Sequence, residues 1–192
     1  MLTQQARVLL DEWIESDSLR KHCEAVSVCM RHFARRHDAD EDLWGAVGLL
    51  HDMDYERHPN LEKSDTGHPF VGVAHLRNNG WSEEICRAIL SHADYSEVPR
   101  ISLMEKTLYA VDELSGFVTA VALVRPDKSI HSVEVSSVRK KFKDKAFAAK
   151  VSRIDIQRGA EELGVPMEEL IREVILGLRA EAELLRLTSK TL

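Results

Sequence analysis

His51 and Asp52 stand side by side directly after the run Leu43-Trp44-Gly45-Ala46-Val47-Gly48-Leu49-Leu50. A run this apolar reads as a helix buried nearly all round. Two polar side chains at its end need partners, because burying an unpaired carboxylate is costly. A cation supplies one. A second pair, His37-Asp38, lies in the polar connection that ends Asp40-Glu41-Asp42; nothing there desolvates a metal, so it reads as a solvated loop. Asp112 repeats the anomaly in Leu108-Tyr109-Ala110-Val111-Asp112-Glu113-Leu114, where it shares a helical face with Leu108 and Val111. Taken alone, Asp112 is explained by a salt bridge to a core cation. Beside His51-Asp52, a shared metal explains it as well. His22, one helix earlier, could by itself be an exposed histidine.

These residues must be positioned by helices, since helical periodicity runs nearly end to end. Residues 4–15 carry Val8, Leu9, Trp13 and Ile14 at helical spacing, and a second helix runs to about Arg36. Asp40 to Asp42 offer N-cap carboxylates for the apolar helix. Residues 53–66 read as a surface loop. Further helices are expected from about His68 to Asn79, from Ser82 to about His92, and from Ser102 to about Val124. Residues 134–150 are basic and expected to be helical; 152–163 and 167–187 make the last helices, broken at Gly164-Val165-Pro166. The one β-like run, Ile130 to Val138, is short and polar. The expected architecture is all-α: one compact helical bundle over 1–192, with the chemistry in 18–120 and a C-terminal helical extension over 125–192.

Composition agrees. Aromatics are 6% of a chain that is 44% hydrophobic, so the core rests on aliphatic side chains and alanine, which suits packed helices. A net charge of −6 argues against a dedicated nucleic-acid binder, because phosphate backbones reward a basic face. No apolar run approaches the roughly 18–20 residues that span a bilayer, and the first residues show no leader, so a cytoplasmic location is expected. Cys23, Cys29 and Cys86 form no CxxC and read as reduced, buried thiols.

The order His22, His51-Asp52, Asp112 resembles the HD superfamily of metal-dependent phosphohydrolases: a lone His, then His-Asp, then a distant Asp, on an all-α scaffold. The resemblance covers about residues 18–120. Ala46-Val47-Gly48-Leu49-Leu50-His51-Asp52 looks like the family's approach to its His-Asp pair, and Ser102 to Asp112 like its last ligand helix. The overall likeness is to small, mostly uncharacterised bacterial HD hydrolases. His68, in Gly67-His68-Pro69-Phe70, and His92, in Leu90-Ser91-His92-Ala93, sit where the dinuclear branch has two more histidines. The resemblance therefore implies that His22, His51, Asp52 and Asp112 hold one metal, and that Asp52 bridges to a second held by His68 and His92. Imidazole and carboxylate ligands suit Fe, Mn, Zn, Co or Ni.

Two cations about 3.5–4 Å apart lower the pKa of a shared water toward neutrality, and the resulting hydroxide attacks phosphorus. The implied activity is hydrolysis of a nucleotide, a dinucleoside polyphosphate or another small phosphoester; the ligand series is most similar to that of symmetric diadenosine tetraphosphate hydrolases. Asp54 and Asp94 are candidates to pass a proton to the leaving oxygen. The chain departs from diguanylate-specific members, since His92 is followed by Ala93 and Gly-Tyr-Pro is absent. It also lacks the cation common three residues after the family's His-Asp pair. Phosphate contacts are sought instead at Arg57, Lys63, Arg77, Lys106 and the run Arg139 to Lys145, including Lys141 and Lys145. Such a run is usually a solvated face, but an anionic substrate in an acidic chain needs a local positive region. His75 reads as packing or support, and His32, His58 and His131 as exposed. The alternative function is a non-catalytic nucleotide- or metal-binding regulatory module. A homodimer stays open.

Overall fold

A computed structural model of the chain describes residues 1–189. Among these there are nine α-helices and no strand. They are α1 (Leu2–Trp13), α2 (Asp17–Arg36), α3 (Glu41–Leu50), α4 (Phe70–Asn78), α5 (Glu83–His92), α6 (Leu103–Leu123), α7 (Val135–Phe142), α8 (Arg153–Leu163) and α9 (Met167–Ala180). The helix starts follow the capping chemistry of the sequence. Ser16, Asp40, Ser82, Ser102 and Ser152 each accept a backbone N–H of the first turn, and Ser102 with Glu105 closes a full capping box.

α6 is the axis of the molecule. It is buried on most of its circumference, from Met104 to Ala122, and α2, α5, α8 and α9 pack around it. α3 is buried from Trp44 to Leu50 and lies against α2. The contact is close because Gly48 has no side chain: a Cβ there would stand 2.6 Å from the Cα of Ser27. Gly159 does the same for α8, where a Cβ would stand 2.6 Å from the Cα of Ala110 on α6. Core side chains run from Ala6 to Leu187, so the C-terminal helices share the hydrophobic core of the earlier ones. No helix among the described residues is long and apolar enough to cross a membrane.

The basic segment expected to be helical over 134–150 is helical only to Phe142. Beyond it the chain turns, so that Phe142 and Phe147 both pack edge-on against Phe117, with ring centroids 5.7 and 5.5 Å away. The Arg153 guanidinium donates to the carbonyls of Phe147, Ala148 and Val151, which replaces the helical hydrogen bonds lost there. α9 likewise stops at Ala180, and turns continue to Arg186, where φ is 55°. The run from Ile130 forms a 3-10 turn and then enters α7, not a strand.

Candidate metal centre

The polar residues singled out in the sequence come from helix ends and the turns beside them, from the second turn of α2, where His22 sits, and from the middle of α6. His51 follows the last residue of α3, and His92 is the last residue of α5. Each imidazole Nδ1 points at the carbonyl three residues earlier, Gly48 for His51 (2.8 Å) and Ile89 for His92. Last-turn carbonyls lack helical partners, so they are free to accept these bonds. A carbonyl can only accept, so Nδ1 carries a proton and Nε2 is the ring nitrogen left to face the carboxylates. His68 is fixed differently. Its Nδ1 donates to Asp54 Oδ1 at 2.7 Å, while Asp54 Oδ2 accepts the Gly72 N–H at 2.6 Å. His51, His68 and Asp54 are all at most 3% exposed. A second partner on the far ring nitrogen is the usual way in which a metal-ligating imidazole is oriented.

The Nε2 atoms converge with two carboxylates into two groups, His22–His51–Asp112 and Asp52–His68–His92. In the first, Asp112 Oδ1 lies 3.0 Å from His22 Nε2 and 3.4 Å from His51 Nε2, and the two nitrogens are 3.2 Å apart. In the second, Asp52 Oδ1 lies 3.2 Å from His68 Nε2 and 3.6 Å from His92 Nε2, with 3.2 Å between the nitrogens. Asp52 Oδ2 turns the other way, 3.7 Å from His22 Nε2 and 3.6 Å from His51 Nε2. Donors about 2.1 Å from a shared centre lie about 3.0 Å apart at right angles and about 3.4 Å apart at the tetrahedral angle. Both groups have the spacing of a coordination shell, and the donor set of nitrogen and carboxylate oxygen suits a divalent transition metal.

The electrostatics say that these groups need compensating charge. Burial opposes ionisation of Asp52 and Asp112, yet the neighbouring imidazoles, His51 first among them, hold both carboxyls below the usual range. Burial pulls His51 down, but Asp52 and Asp112 outweigh it and raise the imidazole to about 9. In effect protons occupy the place that a cation would fill. Cys23, close by, is a buried thiol pushed up by desolvation and by Asp52. Cys29 and Cys86 are buried and free, as expected.

A cavity of about 420 Å³ opens over both groups, lined by His22, Asp52, His92 and Asp112 below and by Tyr55, Tyr95, Tyr109, Asp94, Glu113 and Asp155 around them. Burial and the adjacent Asp112 push Glu113 up to about 7. Of the two acids proposed from sequence, Asp94 lines this cavity but is paired to Arg100 and Arg158. Asp54 does not line it, since both of its oxygens are taken by His68 and Gly72. None of the cations sought for phosphate lines it either. Arg57 donates to the Glu12 carbonyl and lies over Trp13. Arg77 pairs with Glu83, Lys63 with Glu97, and Arg139 with Glu168. Lys106 lines a separate cleft beside Arg100, Lys141 lies over Phe147, and Lys145 is exposed. His37 and His131 are exposed, and His58 is partly so. His75 packs edge-on against Trp13, 4.8 Å between ring centroids. His32, expected to be exposed, is instead partly buried, with its Nε2 2.8 Å from Glu173 Oε2 between α2 and α9.

The tyrosines, Glu113 and Asp155 escaped the sequence reading. Tyr109 carries the one available signal, since it sits three residues before Asp112 on the same face of α6. Asp155 comes from a region with no chemical motif.

An all-helical scaffold that gathers two His/Asp groups able to hold a metal from helix ends, α2 and a central helix defines the class of protein. The family model for the HD domain matches residues 19–116, just over half of the 192 residues, and the chain belongs to that family. The match contains all six candidate ligands. No curated protein and no solved structure matches the chain.

Proposed function

We propose that the protein is a metal-dependent phosphohydrolase acting on a small phosphoester. His22, His51, Asp52 and Asp112 hold one divalent transition-metal ion, and Asp52, His68 and His92 hold a second. The observation that carries this reading is Asp52: one oxygen faces each group, as a bridging carboxylate must. Two such ions, when bound, supply a nucleophilic water at neutral pH and offset charge on the transferring phosphoryl group. The chain's own residues do the rest. Asp52 sets the separation of the two groups. Asp54, through His68, and the Gly48 and Ile89 carbonyls, through His51 and His92, keep each Nε2 aimed inward. The cavity above, at about 420 Å³, is of small-molecule size.

The test is metal content and turnover together. Protein purified without chelators should carry two equivalents of metal per chain and release phosphate from some small phosphoester with Mn or Fe present. Asp52→Ala should abolish release while the circular dichroism spectrum stays helical. Fully loaded protein that turns over no phosphoester would favour the binding module. An active Asp52→Ala protein would overturn the bridging role.

A further inference from the structure

The walls of the cavity carry the wrong charge for a polyphosphate. No lysine or arginine lines it among the described residues. Two guanidiniums stand behind the Tyr109 wall and are engaged there: Arg100 holds Glu162 and Asp94 and lies 3.6 Å over the Tyr109 ring, and Arg158 holds Asp94 and donates to the Tyr109 hydroxyl at 3.4 Å. Two half-buried carboxylates, Asp155 and Glu113, line the cavity, and neither forms an ion pair among the described residues. Asp155 Oδ1 accepts only the Tyr109 hydroxyl, at 3.0 Å. Three tyrosines stand in the same walls, and the Tyr95 hydroxyl oxygen is buried with no hydrogen-bond partner. Aromatic rings and an unpaired carboxylate around a partly desolvated space are what recognises an alkylammonium group.

We infer that this cavity selects phosphoesters whose leaving group bears an ammonium, that is, phosphates of small amino alcohols, and that Asp155 reads the charge. The inference rests on the phosphohydrolase reading. The phosphate lies over the His/Asp groups, and the ammonium lies against Asp155 and the rings of Tyr55 and Tyr95, since the Tyr109 ring already carries Arg100. Extra phosphates in that position would meet carboxylates, and like charges in contact are rejected. Asp155 is held there by the backbone. It lies on α8, which Gly159 lets approach α6 at Ala110, and its own N–H bonds the Ser152 cap. The carboxylate that reads the charge therefore comes from beyond residues 19–116, from the part of the chain that supplies no metal-centre donor, while the tyrosines come from within the match.

The experiment compares two esters of similar size, 2-aminoethyl phosphate and ethyl phosphate, on metal-loaded protein. The expected ratio of kcat/KM is about tenfold in favour of the amine, the scale of a partly desolvated cation–aromatic and carboxylate contact. Asp155→Asn, which keeps shape and removes charge, should bring that ratio to within roughly twofold of one. In parallel, zinc-loaded protein is titrated with tetramethylammonium, which has no atom that can ligate a metal, and followed by amide shifts on α8. Saturable binding that Asp155→Asn abolishes supports the inference. A wild-type ratio at or below one overturns it and leaves the phosphohydrolase reading standing. A ratio that Asp155→Asn does not change removes Asp155 from the role. If neither ester turns over, the tetramethylammonium titration decides: binding lost in Asp155→Asn supports ammonium recognition, and no binding overturns it.

Discussion

Asp54→Asn separates a positioning role from a catalytic one. In the wild type, Asp54 accepts twice, from His68 Nδ1 at 2.7 Å and from the Gly72 N–H at 2.6 Å, in a site where Asp54 is 1% exposed. Asparagine has one acceptor and one donor in place of two acceptors. Its oxygen can keep the Gly72 bond, and its NH2 then faces His68 Nδ1. The imidazole answers by moving its proton to Nε2, the atom that faces Asp52 and His92. Both hydrogen bonds survive but lose their ionic character, at about 1–2 kcal/mol in total. For a chain of this size that is a fall in Tm of roughly 2–8 °C, so the protein stays folded. Metal binding suffers more selectively. Removing an orienting partner of this kind costs about 10–100-fold in affinity, and the Asp52–His68–His92 group should bear it alone. Metal analysis after dialysis against a graded chelator should show one equivalent lost early and the other retained as in wild type. Equal loss of both ions, or two ions held at wild-type strength, would refute the assignment of His68 to a second group and of Asp54 to its support.

Gly48→Ala puts a Cβ 2.6 Å from the Ser27 Cα, so α3 must move off α2 and carry His51 away from His22. Denaturant unfolding should show a loss of about 1–3 kcal/mol, the range for overpacking a tight contact, with the first ion released before the second. Asp42 ties α1 to α3 by accepting the Leu2 and Thr3 N–H groups. Desolvation opposes its ionisation, but those bonds and the Thr3 side chain hold the carboxyl below its ordinary value of 3.8. A depressed carboxyl stabilises the fold above its unfolded pKa and ceases to do so as pH falls through the folded value. Hydrogen exchange should therefore show α1 loosening first below about pH 3.8, and Asp42→Ala should remove that acid step.

Much of the centre was legible because polar residues in apolar company are conspicuous. His51-Asp52 closes a helix buried from Trp44 to Leu50, and Asp112 interrupts the long, largely buried helix α6. The decoy at His37-Asp38 was separable by the same criterion, and it is exposed. The helix starts were legible from Ser82 and Ser102, whose hydroxyls do cap. What could not be read was where long side chains end up. Arg57, Arg77 and Lys141 are cations near the site in sequence, but each is claimed by a partner that sequence does not name: the Glu12 carbonyl and Trp13, Glu83, and Phe147. Asp54 looked like a spare acid because Gly72 and His68, the groups that consume its oxygens, are 18 and 14 residues away. The shortened basic helix has the same cause, since Phe147 is drawn to Phe117, a residue of α6.

The division of labour along the chain follows from these placements. The His/Asp groups need rigid backbone, and they sit at helix ends, on α2 and on α6; last-turn carbonyls fix His51 and His92, and the buried Asp54 carboxylate fixes His68. On the proposed phosphohydrolase reading, that part would hold the metals and offset phosphoryl charge whatever the leaving group is. Discrimination must come from what surrounds the leaving group. There the chain supplies Asp155 from α8 and, through its hydrogen bond, the Tyr109 hydroxyl from α6. Because α8 meets α6 through Gly159 against Ala110, a substitution at that contact moves Asp155 without touching a metal-centre donor. A Gly159→Ala protein should thus keep its metal content while losing its preference between amine-bearing and plain esters, and loss of the metals instead would mean that α8 supports the centre itself.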